Sequence, residues 1–223
     1  LVQVENQYSK LEEIMKKPSV LREEKGFTLI ELAIVLVIIG IILGAVLKGQ
    51  DLIAGARAKK FIMDAGKKWE IGAWTHFDRI GRFPGDADSN GLIGDGNPQA
   101  DLAALNMTTP PVTPLTYGSF TFYVFLGSDS TGTPANAQNI LVICKDVDCL
   151  IAFSNDELAF VQSFDTSIDG TASGTAGLVR ATATTPTVVT LANYLATHAT
   201  DVVSVAWTAS PKALVYYFDR QAN

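Results

Sequence analysis

Twenty-one consecutive residues, Phe27 to Leu47 (FTLIELAIVLVIIGIILGAVL), carry a single charge, Glu31. A helix that is apolar all round belongs either inside a large core or inside a membrane. At about 1.5 Å per residue such a helix covers ~30 Å, the hydrocarbon thickness of a bilayer, so the run predicts a transmembrane helix. A secretory signal would have a shorter apolar core followed by a small-residue cleavage site, and neither is visible. Lys and Arg flank both ends, so the positive-inside rule fixes no orientation.

Around this run the charge is uneven. The 223 residues are 48% apolar and 18% charged, with mean hydropathy +0.21 and net charge −6, a balance that argues against a disordered chain and a coiled coil. Leu1 to Gly26 hold five basic and five acidic residues, Phe27 to Ile80 seven and five, and Gly81 to Asn223 five and thirteen. The acidity therefore lies in the C-terminal part, which counts against nucleic-acid binding because phosphates would be repelled. Residues 1–26, with interspersed Lys and Glu, read as a leader with no core of its own. The sequence begins with Leu1, and Met15 is expected to be the translation start.

No proline interrupts Lys48 to Ile80, where Ile62, Gly66, Trp69, Ala73, Phe77 and Ile80 recur at spacings of three and four, the mark of one buried helical stripe. Phe27 to Ile80 thus predicts one long helix, hydrophobic over 27–47 and amphipathic over 48–80. Pro84 ends it. Beyond, SFTFYVFL, NILVIC, GLVRATA, TVVTLANY, VVSVAW and KALVYYF are short β-rich runs between Gly, Pro, Asn and Asp, which predict an antiparallel sheet over a head at 81–223. Ser154 followed by Glu157 is a capping-box pattern that opens a short helix. The expected fold class is α+β.

The residues KGFTLIEL, Lys25 to Leu32, resemble the processing motif of type IV prepilins and the pseudopilins of type II secretion. The resemblance is most specific over Lys25 to Gly49 and architectural beyond it. It implies that a prepilin peptidase removes the cytoplasmic leader after Gly26 and methylates the new amino group of Phe27. It also implies a single-pass precursor in the bacterial inner membrane, whose head is periplasmic or extracellular once the subunit joins a filament through an inner-membrane assembly platform. A carboxylate in a membrane span costs roughly 2.5–3.5 kcal/mol, so Glu31 needs a partner, which the family supplies as the amino terminus of a neighbouring subunit. A buried pair of this kind sets register. The bland alternative places Glu31 at the headgroups near a helix start. Gly40 and Gly44 form G-x-x-x-G, a pattern that allows close helix approach. Family members often carry a proline after this stretch, where Lys48 and Gly49 stand here.

A second motif, PGDADSNGLIGDGN, spans Pro84 to Asn97. It follows the start of the calcium-loop pattern and lacks the final Glu. Asp86, Asp88, Asn90, Leu92, Asp95 and Asn97 form the candidate ligand set, for a weak calcium site of ~10⁻⁴ to 10⁻³ M suited to an exported head. A Gly/Asp-rich turn without an ion is the equal alternative. Cys144 and Cys149 enclose four residues and predict a disulfide if the head is exported, with a pair of reduced thiols as the other reading. His76 and His198 have no second histidine at metal-ligand spacing, and no phosphate loop, nucleophile elbow or reactive Cys–His pair is present. No enzyme is expected.

These readings converge on a filament subunit, a pseudopilin or minor pilin-like protein of type II secretion or a related system. A major adhesive or motility pilin remains within the class. A single-pass anchor displaying a calcium- or ligand-binding domain is the reading from another class.

Overall fold

The computed structural model describes residues 26–108, 110–129, 138–184, 187–191, 194–198 and 204–219. The leader before Gly26 and Met15 within it lie outside the described residues, as do Val202 and Val203 of the run VVSVAW. By contacts the chain divides into two units, Leu1–Gly49 and Gln50–Asn223.

Helix α1 runs Leu29–Phe61, a π turn follows over Ile62–Lys67, and α2 runs Lys68–Ile80. The long helix that the sequence predicts is present, with a π turn inside it. On an α-helix, residues four apart drift by ~40° around the axis. A π turn takes up more residues per turn than an α turn, which cancels part of that drift. Phe61, Ala65, Trp69 and Ala73, four apart throughout, are all buried. The stripe is consequently completed by His76, 3% exposed, whereas the expected Phe77 and Ile80 are 37% and 56% exposed. Gly66 sits where a Cβ would collide with the ring of Phe164, so the helix approaches its neighbour more closely than alanine would allow.

The helix of the second unit lies against a sheet that has eight strands among the described residues. Helix α3 is Pro98–Ala104, β1 Leu115–Tyr117, β2 Phe120–Ser128, β3 Asn139–Cys144, α4 Asn155–Asp169, β4 Val179–Thr182, β5 Thr187–Leu191, β6 Tyr194–His198, β7 Ser204–Val205 and β8 Ala213–Tyr217. The order is β5-β6-β2-β3-β8-β4-β7, with β1 paired to β2. All pairings are antiparallel except β2 with β6, where Leu126 faces Ala196 in parallel register. The architecture is pilin-like α+β.

Strand β3 explains the uniform hydrophobicity of NILVIC. Its six residues are all buried, because Leu141 and Ile143 face the main core with Phe61, Trp69 and Phe164 while Ile140, Val142 and Cys144 pack with Phe125 and Val215. Strands covered on both faces lose the alternation of half-exposed ones. Around Phe61 the rings of Tyr117, Phe122, Phe160 and Phe164 lie at centroid distances of 4.8–6.3 Å, a range in which aromatic pairs add stabilisation beyond area burial.

Candidate functional site

The apolar helix begins with a cap. Thr28 precedes Leu29, and its hydroxyl oxygen accepts from the Glu31 backbone N–H at 3.3 Å. In return the Glu31 carboxylate accepts from the Thr28 backbone N–H and from its hydroxyl, both at 2.8 Å. This is a reciprocal capping box, T-x-x-E, and it satisfies donors that a helix start otherwise leaves bare. The sequence reading treats Glu31 as a charge in need of a partner and misses the Thr28 half of the pattern, although the T-x-x-E spacing was available. Among the described residues no cation pairs with Glu31. Gly26 and Phe27 are exposed at the end of the helix. At Gly40 and Gly44 an added Cβ would meet nothing within 4 Å, so nothing inside a single described chain requires glycine at either place.

The aspartate loop is built on the head. Asp86 is buried and its two carboxylate oxygens accept from the backbone N–H groups of Asn90 at 3.1 Å and Gly91 at 3.0 Å. Asp88 accepts from the Asn90 backbone and side-chain amides. Asp95 reaches back to accept from Ala87 at 2.8 Å and Asp88 at 3.1 Å. Burial pushes the Asp95 carboxyl upward, but these backbone donors outweigh it and hold it below the usual carboxylate range. Carboxylate oxygens of Asp86, Asp88 and Asp95 lie within 4.8 Å of one another. Each oxygen has a further lone pair, so three aspartates so arranged are chemically able to share a cation.

The other residues of the expected ligand set make hydrogen bonds of their own in and beside the loop. The Asn90 side-chain oxygen accepts from the Leu92 N–H at 2.7 Å, tightening the turn. Asn97 is the N-cap of α3, its side chain accepting from Ala100 at 3.0 Å with Pro98 next in the helix. Asn followed by Pro is itself a helix-start signal, and the calcium template hides it. Gly85 holds φ +82°, and a Cβ there would press on Pro98; its carbonyl accepts from Gly94 and Gly96. Arg82 donates to the Asp86 carbonyl at 2.6 Å and to Asp101 at 3.1 Å.

Two residues that the sequence reading does not single out clamp this loop to the sheet. Asn139, at the start of β3, accepts from the Ile93 N–H at 2.8 Å and donates to the Gly91 carbonyl at 2.8 Å and to Asp219 at 2.9 Å. Burial raises the Asp219 carboxyl, opposed by the Asn139 amide. Pairs separated by 46 and 80 residues leave no local pattern to read.

At the end of β3 the structure pairs Cys144 with Cys149 at a Cα–Cα distance of 5.2 Å. Inside the loop, the Asp146 carboxylate accepts from the N–H groups of Leu150 and Ile151 at 3.0 and 3.1 Å. His76 is a core residue, its Nδ1 2.8 Å from the Arg82 carbonyl. His198 lies in β6.

Residues 21–47 match the family model described as the prokaryotic N-terminal methylation motif. No curated protein and no solved structure matches the chain. The described part contains one helix long and apolar enough to cross a membrane, as a single-pass precursor requires. A motif of this type implies processing by a prepilin peptidase and assembly with related pilin subunits, a structural role and not a catalytic one. The chain therefore carries a prepilin-type methylation motif at residues 21–47, consistent with the type IV prepilin and pseudopilin family, joined to a pilin-like α+β fold.

Proposed function

We propose that this protein is a structural subunit of a type IV pilus-like filament, a pseudopilin or minor pilin-like component of type II secretion or a related system. On this reading the leader is cut after Gly26, Phe27 is N-methylated, and the subunit enters the filament from the inner membrane with its head outside. The observation that carries the reading is the capped start of an exposed apolar helix immediately after Gly26, in which Glu31 pairs with no cation among the described residues. The positive amino terminus of Phe27 on a neighbouring copy would complete it. N-terminal sequencing of the mature protein is expected to return methyl-Phe27, and electron microscopy to find filaments lost on deletion. An intact leader in the mature protein would instead favour a single-pass anchor. Long surface pili would favour a major pilin, and short periplasmic filaments a pseudopilin.

The converging carboxylates of Asp86, Asp88 and Asp95 support a further part of this reading, weak calcium binding that stiffens the loop. With a dissociation constant of ~10⁻³ M, 10 mM calcium would stabilise the head by about 1.4 kcal/mol. An unchanged melting temperature at that concentration removes calcium from the proposal and leaves a self-capped turn.

A further inference from the structure

Two exposed patches of the second unit have matching chemistry. The first is a face of α1. With ~100° between successive residues, Leu52, Ile53, Ala56, Lys59 and Lys60 fall on one side of the helix. Ala54, Gly55 and Ala58 fall on the other, along a groove of about 440 Å³ shared with Phe120 and α4. Leu52 is 70% and Ile53 55% exposed, and Lys59 and Lys60 are exposed beside them. Arg57 shares the groove with Asp156, and Lys60 sits 5.8 Å from the Tyr117 ring centroid, so of these cations Lys59 is the least engaged among the described residues.

The second patch is the disulfide-closed loop. Leu150 and Ile151 are 58% and 53% exposed and Val147 39%. Asp148, between Val147 and Cys149, is exposed, whereas the Asp146 carboxylate is occupied by the Leu150 and Ile151 amides. An apolar rim with an acidic centre thus stands on one part of the head, and an apolar face with cations on another.

We propose that the Cys144–Cys149 loop of one copy docks on the Leu52–Lys60 face of α1 of a second copy, Asp148 facing Lys59 and Lys60. The inference rests on the filament reading. Two complementary patches at different places on one chain make a heterologous contact, which repeats from copy to copy and builds a filament. An anionic lipid surface is the weaker occupant for the helix face. Arg57 to Lys60 follow the apolar run by ~15–20 Å of helix, about two screening lengths at physiological salt.

The test uses full-length protein in cells, read as filament yield after shearing or membrane extraction. Asp148→Lys is expected to lower the yield at least about tenfold, and Lys59→Asp with Lys60→Asp to lower it similarly, since like charges would then face each other. Combining the three substitutions is expected to bring the yield back to within about threefold of wild type. On wild-type filaments, a zero-length carbodiimide cross-linker is expected to join the peptide holding Asp148 to the one holding Lys59 or Lys60. Asp148→Lys filaments at wild-type yield would overturn the contact. So would wild-type filaments that give no such cross-link, an arm that does not depend on the variants folding. If the wild type forms no filament and Phe27 is unmethylated, the filament reading falls and takes the contact with it; filaments without the cross-link remove the contact alone.

Discussion

Two helices of this protein start with the same device in opposite surroundings. At Thr28–Glu31 and at Ser154–Glu157 a hydroxyl accepts from the backbone N–H three residues on, at 3.3 and 3.4 Å. In both, the glutamate accepts from the first residue's N–H and hydroxyl at 2.8 Å. Glu157 is 4% exposed and has a cation, Lys145, at 3.0 Å. Glu31 lies on an exposed apolar helix with no cation among the described residues. The comparison teaches that the capping box is a local solution, complete within four residues, whereas charge compensation is not local. Helix α4 finds its cation inside the fold. On the filament reading, helix α1 would find its cation on another molecule.

The largest expected effect tests that last step. Glu31→Ala should abolish filament assembly while leaving the melting temperature of the head unchanged, because the hydrogen bonds of Glu31 go to its neighbour Thr28. Filaments of normal yield and stoichiometry from this variant would remove the register role of Glu31. Next in size, Glu157→Ala should destabilise the head by roughly 2–4 kcal/mol, through loss of the cap and of the partner of Lys145. Denaturant unfolding measures it, and a loss under about 1 kcal/mol would mean that Glu157 contributes no more than an ordinary cap.

Acid titration sharpens the same contrast. Burial pushes the Glu157 carboxyl upward, but the Ser154 backbone donor and Lys145 prevail and hold it below the usual range. A depressed carboxylate contributes stability that is present above its unfolded value, ~4.3, and is lost as pH falls through the lower folded one. The acid limb of the head's stability curve should therefore flatten in Glu157→Gln. Asp165 works in the other direction. Burial raises its carboxyl against donation from Trp207 and Gly174, and that contribution favours the folded state as pH falls. The smallest effect is expected from Thr28→Ala, which removes one side-chain cap worth about 1 kcal/mol. Filament yield should fall far less than for Glu31→Ala, and equal losses would show that the box, not the charge, matters.

Features confined to a few neighbouring residues were legible in advance. The apolar run, the capping box at Ser154 and Glu157, and strand β3 at Asn139–Cys144 all follow from composition and spacing within one element. Other features were hidden because their causes are distant in the chain. Nothing near Ile62 announces a π turn, since it keeps Phe61, Ala65, Trp69 and Ala73 in line toward a sheet that begins dozens of residues later. Nothing near Asn139 shows that it will hold the aspartate loop. At Asn97 the signal was present and a competing template covered it: an incomplete calcium pattern and a helix cap claim the same residue, whose side chain accepts from the Ala100 amide.

The sequence by itself determined that this chain has a membrane-length apolar helix, a processing motif at its start and an acidic β-rich head. Hydrophobic length, charge count and capping spacing are properties of neighbours along the chain. Only the tertiary structure decided which aspartates converge, which residues of the helix are buried, that β6 joins β2 in parallel, and that the disulfide loop and the Leu52–Lys60 face are left uncovered. Convergence, burial and exposure belong to residues far apart in sequence, and no local pattern carries them until the chain is packed.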